Sequence, residues 1–317
     1  MYIIDKYKIM SKIALGMGKR IIYAMVATVL VLAGCVEDDQ PKQPKDTMTS
    51  GTIEVSADET FRPVIEEQVK VFDSSYPDAH INISYKSEAE CIKDFMAGKA
   101  RLILVTRDLS KEEKQVAETG KIISTSLPIA KDAVAMIVNN ANKDTVFSKA
   151  AIKGILTGQN VNKYSVVFDN PGSSTLRYML DSLIPGEKLG DNVYAANGTD
   201  SVIHYVANNP DAVGFISVSH VSDFNDPEGL AFISNVKVAT VFNDSLQKGY
   251  KPYQAYIAPE WYPLTRKLYY VHCDTYNGLA YGFAKFLSKE RGQLIFKQAR
   301  LFPTRVNIIF RQAEVNK

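Results

Sequence analysis

From Gly51 onward the hydrophobic positions of the chain alternate between two periods, near 2 and near 3.6, which predicts strands and helices following one another. Thr52 to Ser56 is a short β-branched run and predicts a strand. A loop and an amphipathic helix follow, with Phe61, Ile65, Val69 and Phe72 on one face. Ile81 to Tyr85 alternates as a strand, and Ser87 opens a helix with Glu90 three residues on, the spacing of a capping box. Leu102 to Val105 is an apolar strand, and Ser110 with Glu113 repeats the capping pattern. Val134 to Val138 and Val166 to Phe168 are further strands. After the second comes the turn Asp169-Asn170-Pro171-Gly172, then a helix with Leu176, Met179, Leu180 and Leu183 at i, i+3, i+4 and i+7. Repeated β-loop-α units argue for an α/β protein with parallel sheets covered by helices. About 267 residues follow Ser50, more than a usual single core holds, so two domains are expected.

The first 50 residues have a different pattern. Lys12, Lys19 and Arg20 precede an apolar run, Ile21 to Ala33, which ends in Leu32-Ala33-Gly34-Cys35. A charged segment, a short apolar run and small residues are the marks of a secretory signal, and an uncleaved membrane anchor is the competing reading. Leu-Ala-Gly-Cys resembles the bacterial lipobox, which implies cleavage before Cys35 and lipid on its sulfur. Residues 36–50, VEDDQPKQPKDTMTS, hold too little apolar surface to build a core and read as a tether. The chain is therefore expected to act outside the cytoplasm, anchored to a membrane.

Composition then narrows the chemistry. The formal charge of +2 comes from 37 Lys and Arg against 35 Asp and Glu. Residues 1–34 hold five of the bases and one acid, which leaves 32 against 34, a net of −2. Nothing in that balance suggests nucleic acid, which calls for a basic patch. The four histidines are scattered without metal-ligand spacing, and no metal or cofactor is implied. An oxidising compartment would allow Cys91 and Cys273 to pair, but two separate thiols is the simpler expectation. The tyrosines Tyr253, Tyr256, Tyr262, Tyr269 and Tyr270 could stack on a ligand or pack an interface, and packing is preferred.

In open α/β sheets, ligands bind beyond the carboxyl ends of strands, where helix N-termini present free N–H groups. Four loops hold such positions. The first carries Ala57, Asp58, Thr60 and Phe61; the second carries Ser87; the third carries Arg107 and Asp108; the fourth carries Asp169, Ser173, Ser174 and Thr175. For any one loop, plain helix capping accounts for the hydroxyls. One serine would cap the fourth helix, so three successive hydroxyl residues there need another reason, and a tetrahedral oxyanion supplies one.

These loops carry a resemblance. The chain is similar to the phosphate-binding proteins of bacterial ABC phosphate importers, which have the two-domain type II periplasmic-binding fold with two hinge crossings. The family's fourth loop has an Asp, a spacer and Ser-Gly-Thr before a helix, matched in outline by Asp169 and Ser173-Ser174-Thr175. Further matches are Ala212 to Ile216, Tyr262-Pro263-Leu264-Thr265-Arg266, and Gly282-Phe283 running to Gly292-Gln293. The family motif places an Arg two positions before its Asp, where this chain has Val167, and two extra residues separate Asp169 from Ser173. Arg107 becomes the candidate for the missing positive charge, and Asp108, or Asp169, for the carboxylate that accepts a proton from phosphate.

The resemblance implies residues 1–34 as signal, 35–50 as lipidated cysteine and tether, 51–133 as the first part of domain I, 134–262 as domain II, and 263–317 as the return strand and the rest of domain I. Hinge crossings are expected near Ala130 to Ala135 and at Tyr262 to Tyr270. It also implies capture of inorganic phosphate without chemistry, by a monomer that delivers to an ABC importer permease. The same fold could instead hold another oxyanion or a phosphorylated ligand, or serve as a sensor or adhesin. A hydrolase is the rival from another class, but the serines lack G-x-S-x-G and no P-loop lysine motif is present.

Overall fold

The computed structural model describes residues 46–159, 163–221 and 235–305. The apolar run before Cys35, Cys35 itself and residues 36–45 of the expected tether lie outside the described residues.

The strands are β1 (Gly51–Asp58), β2 (Ala79–Lys86), β3 (Leu102–Val105), β4 (Thr125–Asn139), β5 (Val146–Ser148), β6 (Ser165–Phe168), β7 (Val193–Ala195), β8 (Ala212–Ser217), β9 (Val236–Val238), β10 (Thr240–Asn243), β11 (Lys248–Tyr250), β12 (Thr265–His272) and β13 (Phe302–Pro303). Eight of them form one path in the order β2-β1-β3-β12-β4-β8-β6-β7. Within it β1 lies parallel to β2 and β3, and β6 parallel to β7 and β8. This is a mixed α/β architecture, with parallel strands on both sides of the central antiparallel pair β12 and β4.

The expected strands are present: β1 and β2 are longer by one or two residues at each end, β3 matches, and β6 gains one residue at its start. Both capping boxes form: Ser87 and Glu90 open the helix Glu88–Met96, and Ser110 and Glu113 open Lys111–Thr119. The largest departure is β4. Only Val134 to Val138 carries an uninterrupted apolar signature, whereas the strand begins nine residues earlier. Its first half, with Pro128, Lys131 and Asp132, pairs antiparallel with β12, and its second half pairs antiparallel with β8. Pro128 sits where the β4–β12 register shifts, between Leu268 and Tyr269, so the missing N–H falls at an irregularity in the ladder.

The core gathers on either side of this strand. One cluster packs Phe61, Ile65 and Phe72 against Leu104, Leu268, Phe283 and Phe296. Another packs Val134, Met136, Phe168, Met179 and Phe215 with Tyr262 and Leu264. We call these the first and second lobes. Each fully buried side chain of this size contributes on the order of 2 kcal/mol. Cys91 is buried and Cys273 half-buried, and both are free thiols. Tyr262 is fully buried and donates to the Val134 carbonyl, so it packs the second lobe. Tyr253 is exposed, at the edge of a ring cluster with Tyr256, Tyr250 and Trp261.

The first described residue is anchored. The buried Asp46 carboxylate accepts from the Leu279 N–H and the Tyr276 hydroxyl, and pairs with Arg101 at 2.9 Å. It thus caps the helix Leu279–Ser288, which has no side-chain cap at Gly278.

Candidate functional site

Topology brings five strand ends to one place. β1, β2 and β3 run the same way and end together in the first lobe, and β6 and β8 end together in the second. The antiparallel pairing of β4 with β12 sets Asp132 opposite Arg266, and that of β4 with β8 sets Val134 opposite Ser217. The mid-point of β4 and the start of β12 therefore lie where the loops from both lobes meet.

Arg266 is the centre of this junction. Its side chain is 2% exposed and pairs through Nε with Asp132 at 2.7 Å. Nη1 donates to Ser174 Oγ at 2.9 Å and to Thr175 Oγ1 at 3.4 Å, and the guanidinium lies 5.3 Å from the Phe61 ring centroid. Nη2 is buried and has no hydrogen-bond partner among the described residues. Burial works against the charge, but Asp132, Asp58 and Glu88 together outweigh it and raise the guanidinium pKa. Asp132 is also held by Ser217 Oγ at 2.9 Å, and Ser217 bonds Ser219, whose hydroxyl reaches the Thr60 carbonyl in the first lobe.

Two carboxylates flank the guanidinium from opposite lobes. Asp58 is fully buried, and its Oδ1 accepts from the Thr60 N–H at 3.0 Å and the Thr60 hydroxyl at 2.9 Å. Its Oδ2 makes no hydrogen bond of good geometry among the described residues. Burial, then the neighbouring Glu88, push this carboxyl up to about 7 against the opposing pull of Arg266, Ser174 and Thr60. Asp169 is 1% exposed, and neither of its oxygens has a well-formed bond among the described residues. Burial raises its pKa too, opposed by the Ser173 hydroxyl and Arg266 and assisted by Glu59.

A second cluster closes the edge. Glu88 is 1% exposed, and its Oε1 accepts from the Thr106 N–H and hydroxyl, each at 2.7 Å. Its Oε2 pairs with Arg177 Nε at 2.5 Å, and Arg177 Nη2 donates to Thr106 Oγ1 at 2.7 Å. Arg177 belongs to the helix Ser174–Leu183 of the second lobe, so this pair joins the lobes. Asn170 Nδ2 donates to Glu59, and the Ala89 N–H to the Gly172 carbonyl at 3.4 Å, making the same crossing. Gly172 permits that approach: a Cβ there would lie 3.1 Å from Ser87 Oγ.

The structure brings Asp58, Thr60, Phe61, Asp169, Ser173, Ser174 and Thr175 together around Arg266. Ala57 stands beside them with its side chain in the core. Ser87 faces Gly172 but directs its hydroxyl at Glu90. The third loop is placed differently. Arg107 is held by Glu113 through both terminal nitrogens, and Asp108 is held by Lys114 at 2.6 Å. Neither hydrogen-bonds to the Arg266 cluster, so the positive charge there comes from Arg266, not Arg107. Sequence reasoning missed Arg266, Asp132, Glu88 and Arg177. A signal existed for the first two: each is a charged residue on the inward parity of a strand, Arg266 with Leu268 and Tyr270, Asp132 with Ala130 and Val134.

Known proteins place this geometry in a family. Residues 42–290 match the profile of the PBP superfamily domain. A phosphate-binding protein PstS 2 of Streptococcus agalactiae serotype V is 22% identical over 129 residues, 41% of this chain and 42% of that protein. The chain thus spans about two fifths of the length of the curated relatives it matches. A structure from Clostridium perfringens, named for a phosphate ABC transporter substrate-binding protein with bound phosphate, superposes with a TM-score of 0.67 at 24% identity, over 80% of this chain and all of that one. An ABC-type phosphate transport receptor from Vibrio cholerae gives 0.62 at 20% identity, over 79% and 99%. At these identities the structural likeness establishes the fold, and with the profile covering most of its length, this chain belongs to the PBP superfamily.

Proposed function

We propose that the protein captures inorganic phosphate between its two lobes, as the solute-binding component of an ABC importer. One observation carries this reading: the buried Arg266 guanidinium, whose Nη2 has no partner among the described residues, bonds Ser174 at the start of the helix Ser174–Leu183 and acts electrostatically on Asp58 and Asp169, which each keep an unpartnered oxygen. The guanidinium and the helix N-terminus attract an anion. A carboxylate that is ionised in the complex requires that anion to carry a proton. Phosphate has one at neutral pH and sulfate does not, so sulfate would face an unscreened negative charge at a penalty of a few kcal/mol, roughly a hundredfold or more in affinity.

In this reading Asp169 and Asp58 accept from the ligand, Ser173, Ser174, Thr175 and the backbone around Phe61 donate to it, and Thr60 holds the Asp58 carboxylate in place. The Ser173 hydroxyl caps the Leu176 N–H and the Ser174 hydroxyl accepts from Arg266, roles that fit binding better than acyl transfer. The two passages of chain between lobes, β4 at residues 130–135 and the segment leading into β12, act as the hinge. Cys35 carries lipid, the protein works outside the cytoplasm as a monomer, and an importer permease receives the ligand.

Thermal unfolding with phosphate, sulfate or neither, at matched ionic strength, tests the ligand. Phosphate at a thousand times its Kd should add about 4 kcal/mol of stability. Stabilisation by sulfate equal to that by phosphate would remove the carboxylate filter from the argument.

A further inference from the structure

We infer that the phosphate complex holds two protons between the ligand and the carboxylates that face it, so that capture of the dibasic ion from alkaline solution draws one proton into the complex. The inference rests on the phosphate reading and adds the protonation state to it.

Asp58 comes from the end of β1 and Asp169 from the end of β6, so they approach the Arg266 guanidinium from different lobes. Both are buried, and each keeps at least one oxygen without a hydrogen-bond partner among the described residues. A carboxylate oxygen and a phosphate oxygen in contact repel unless a proton lies between them, and burial removes the water that would screen the repulsion. Two facing carboxylates therefore need two protons. The dibasic ion brings one, and the second comes from solvent, whether it settles on a ligand oxygen or on a carboxyl.

The surrounding charges give the same direction. Asp58 faces Glu88 from the helix Glu88–Met96, Arg266 from β12 and the Ser174 hydroxyl. Asp169 faces Arg266, the Ser173 hydroxyl and Glu59. Asp132 on β4 is paired with Arg266, and Glu88 with Arg177. The imidazole of His220, pushed toward neutrality by burial, supplies no compensating charge. The buried carboxylates Asp58, Glu88, Asp132 and Asp169 thus stand against two guanidinium groups before any ligand arrives. The Ser173 and Ser174 hydroxyls have one proton each, and a proton given to a carboxylate is not available to the anion. Each pairing leaves the site short of protons for a dianion.

The test is isothermal titration of phosphate into the full chain at pH 8, repeated in buffers of different ionisation enthalpy, which reports protons exchanged on binding. Uptake of about one proton per phosphate is expected. The association constant should accordingly fall about tenfold from pH 8 to pH 9, by the linkage between bound protons and affinity. Asp58→Asn and Asp169→Asn each remove one facing carboxylate and should each reduce the uptake toward zero. Tight binding of phosphate with no proton uptake overturns the inference and leaves the phosphate reading standing. Absence of phosphate binding at both pH 6 and pH 8 overturns both.

Discussion

Asp58→Asn isolates the electrostatic strain in the ligand-free protein. The carboxyl titrates near 7 in the folded chain, against 3.8 for an exposed aspartate. Because its folded pKa is raised, the native state holds a proton that the unfolded state has lost between about pH 4 and 7. Stability from this group is therefore greatest in acid, declines as pH rises through that window, and is level above it. At 1.36 kcal/mol per pH unit, the loss amounts to about 4 kcal/mol by pH 8. Asparagine retains an oxygen in place of Oδ1, which accepts from the Thr60 N–H and hydroxyl, so the turn it caps is kept. Urea denaturation of both proteins, phosphate-free, at pH 5 and pH 8, measures the difference. Asp58→Asn should be the more stable protein at pH 8, with a smaller advantage at pH 5. Parallel stability profiles for the two proteins would show that Asp58 ionises without penalty, and the account of the buried cluster would fail with it.

Other outcomes follow from the same contacts. Arg177→Met leaves Glu88 buried with only Thr106 as partner; because Arg177 is 28% exposed, the effect on closure is on the order of 2 kcal/mol, seen as a larger radius of gyration by solution scattering without ligand. Arg266→Lys cannot reach Asp132 and Ser174 together, so phosphate affinity should fall at least a hundredfold by titration calorimetry. Arg107→Ala, made alongside it, should leave that affinity unchanged, since Glu113 already holds the guanidinium. Asp46→Ala removes a helix cap and a buried partner of Arg101, and should lower stability by about 2 kcal/mol in a denaturant titration.

The strands and helices legible in sequence were those with a clean period: β3 with four buried apolar residues, and the helices opened by Ser87 and Ser110. β4 was half legible, because Pro128, Lys131 and Asp132 break its apolar signature where it enters the junction. The same interruption hid the site. Two of the four loops read as ligand-bearing, the first and the fourth, do meet there, since a strand end followed by hydroxyls at a helix start is a local pattern. Arg266 and Asp132 are 134 residues apart and meet through antiparallel register alone, which no local pattern records. The Glu88–Arg177 pair, 89 residues apart, is hidden for the same reason.

The Asp46 anchor has a mechanical consequence. A pull on the chain upstream of residue 46 acts first on the bonds from its carboxylate to Leu279, Tyr276 and Arg101, and so on the C-terminal part of the first lobe. β1 begins only five residues later and ends in Asp58 and Thr60. With the load diverted into the helix Leu279–Ser288, tension does not pass along β1, and the loop that holds the buried carboxylate keeps its geometry while the protein is tugged.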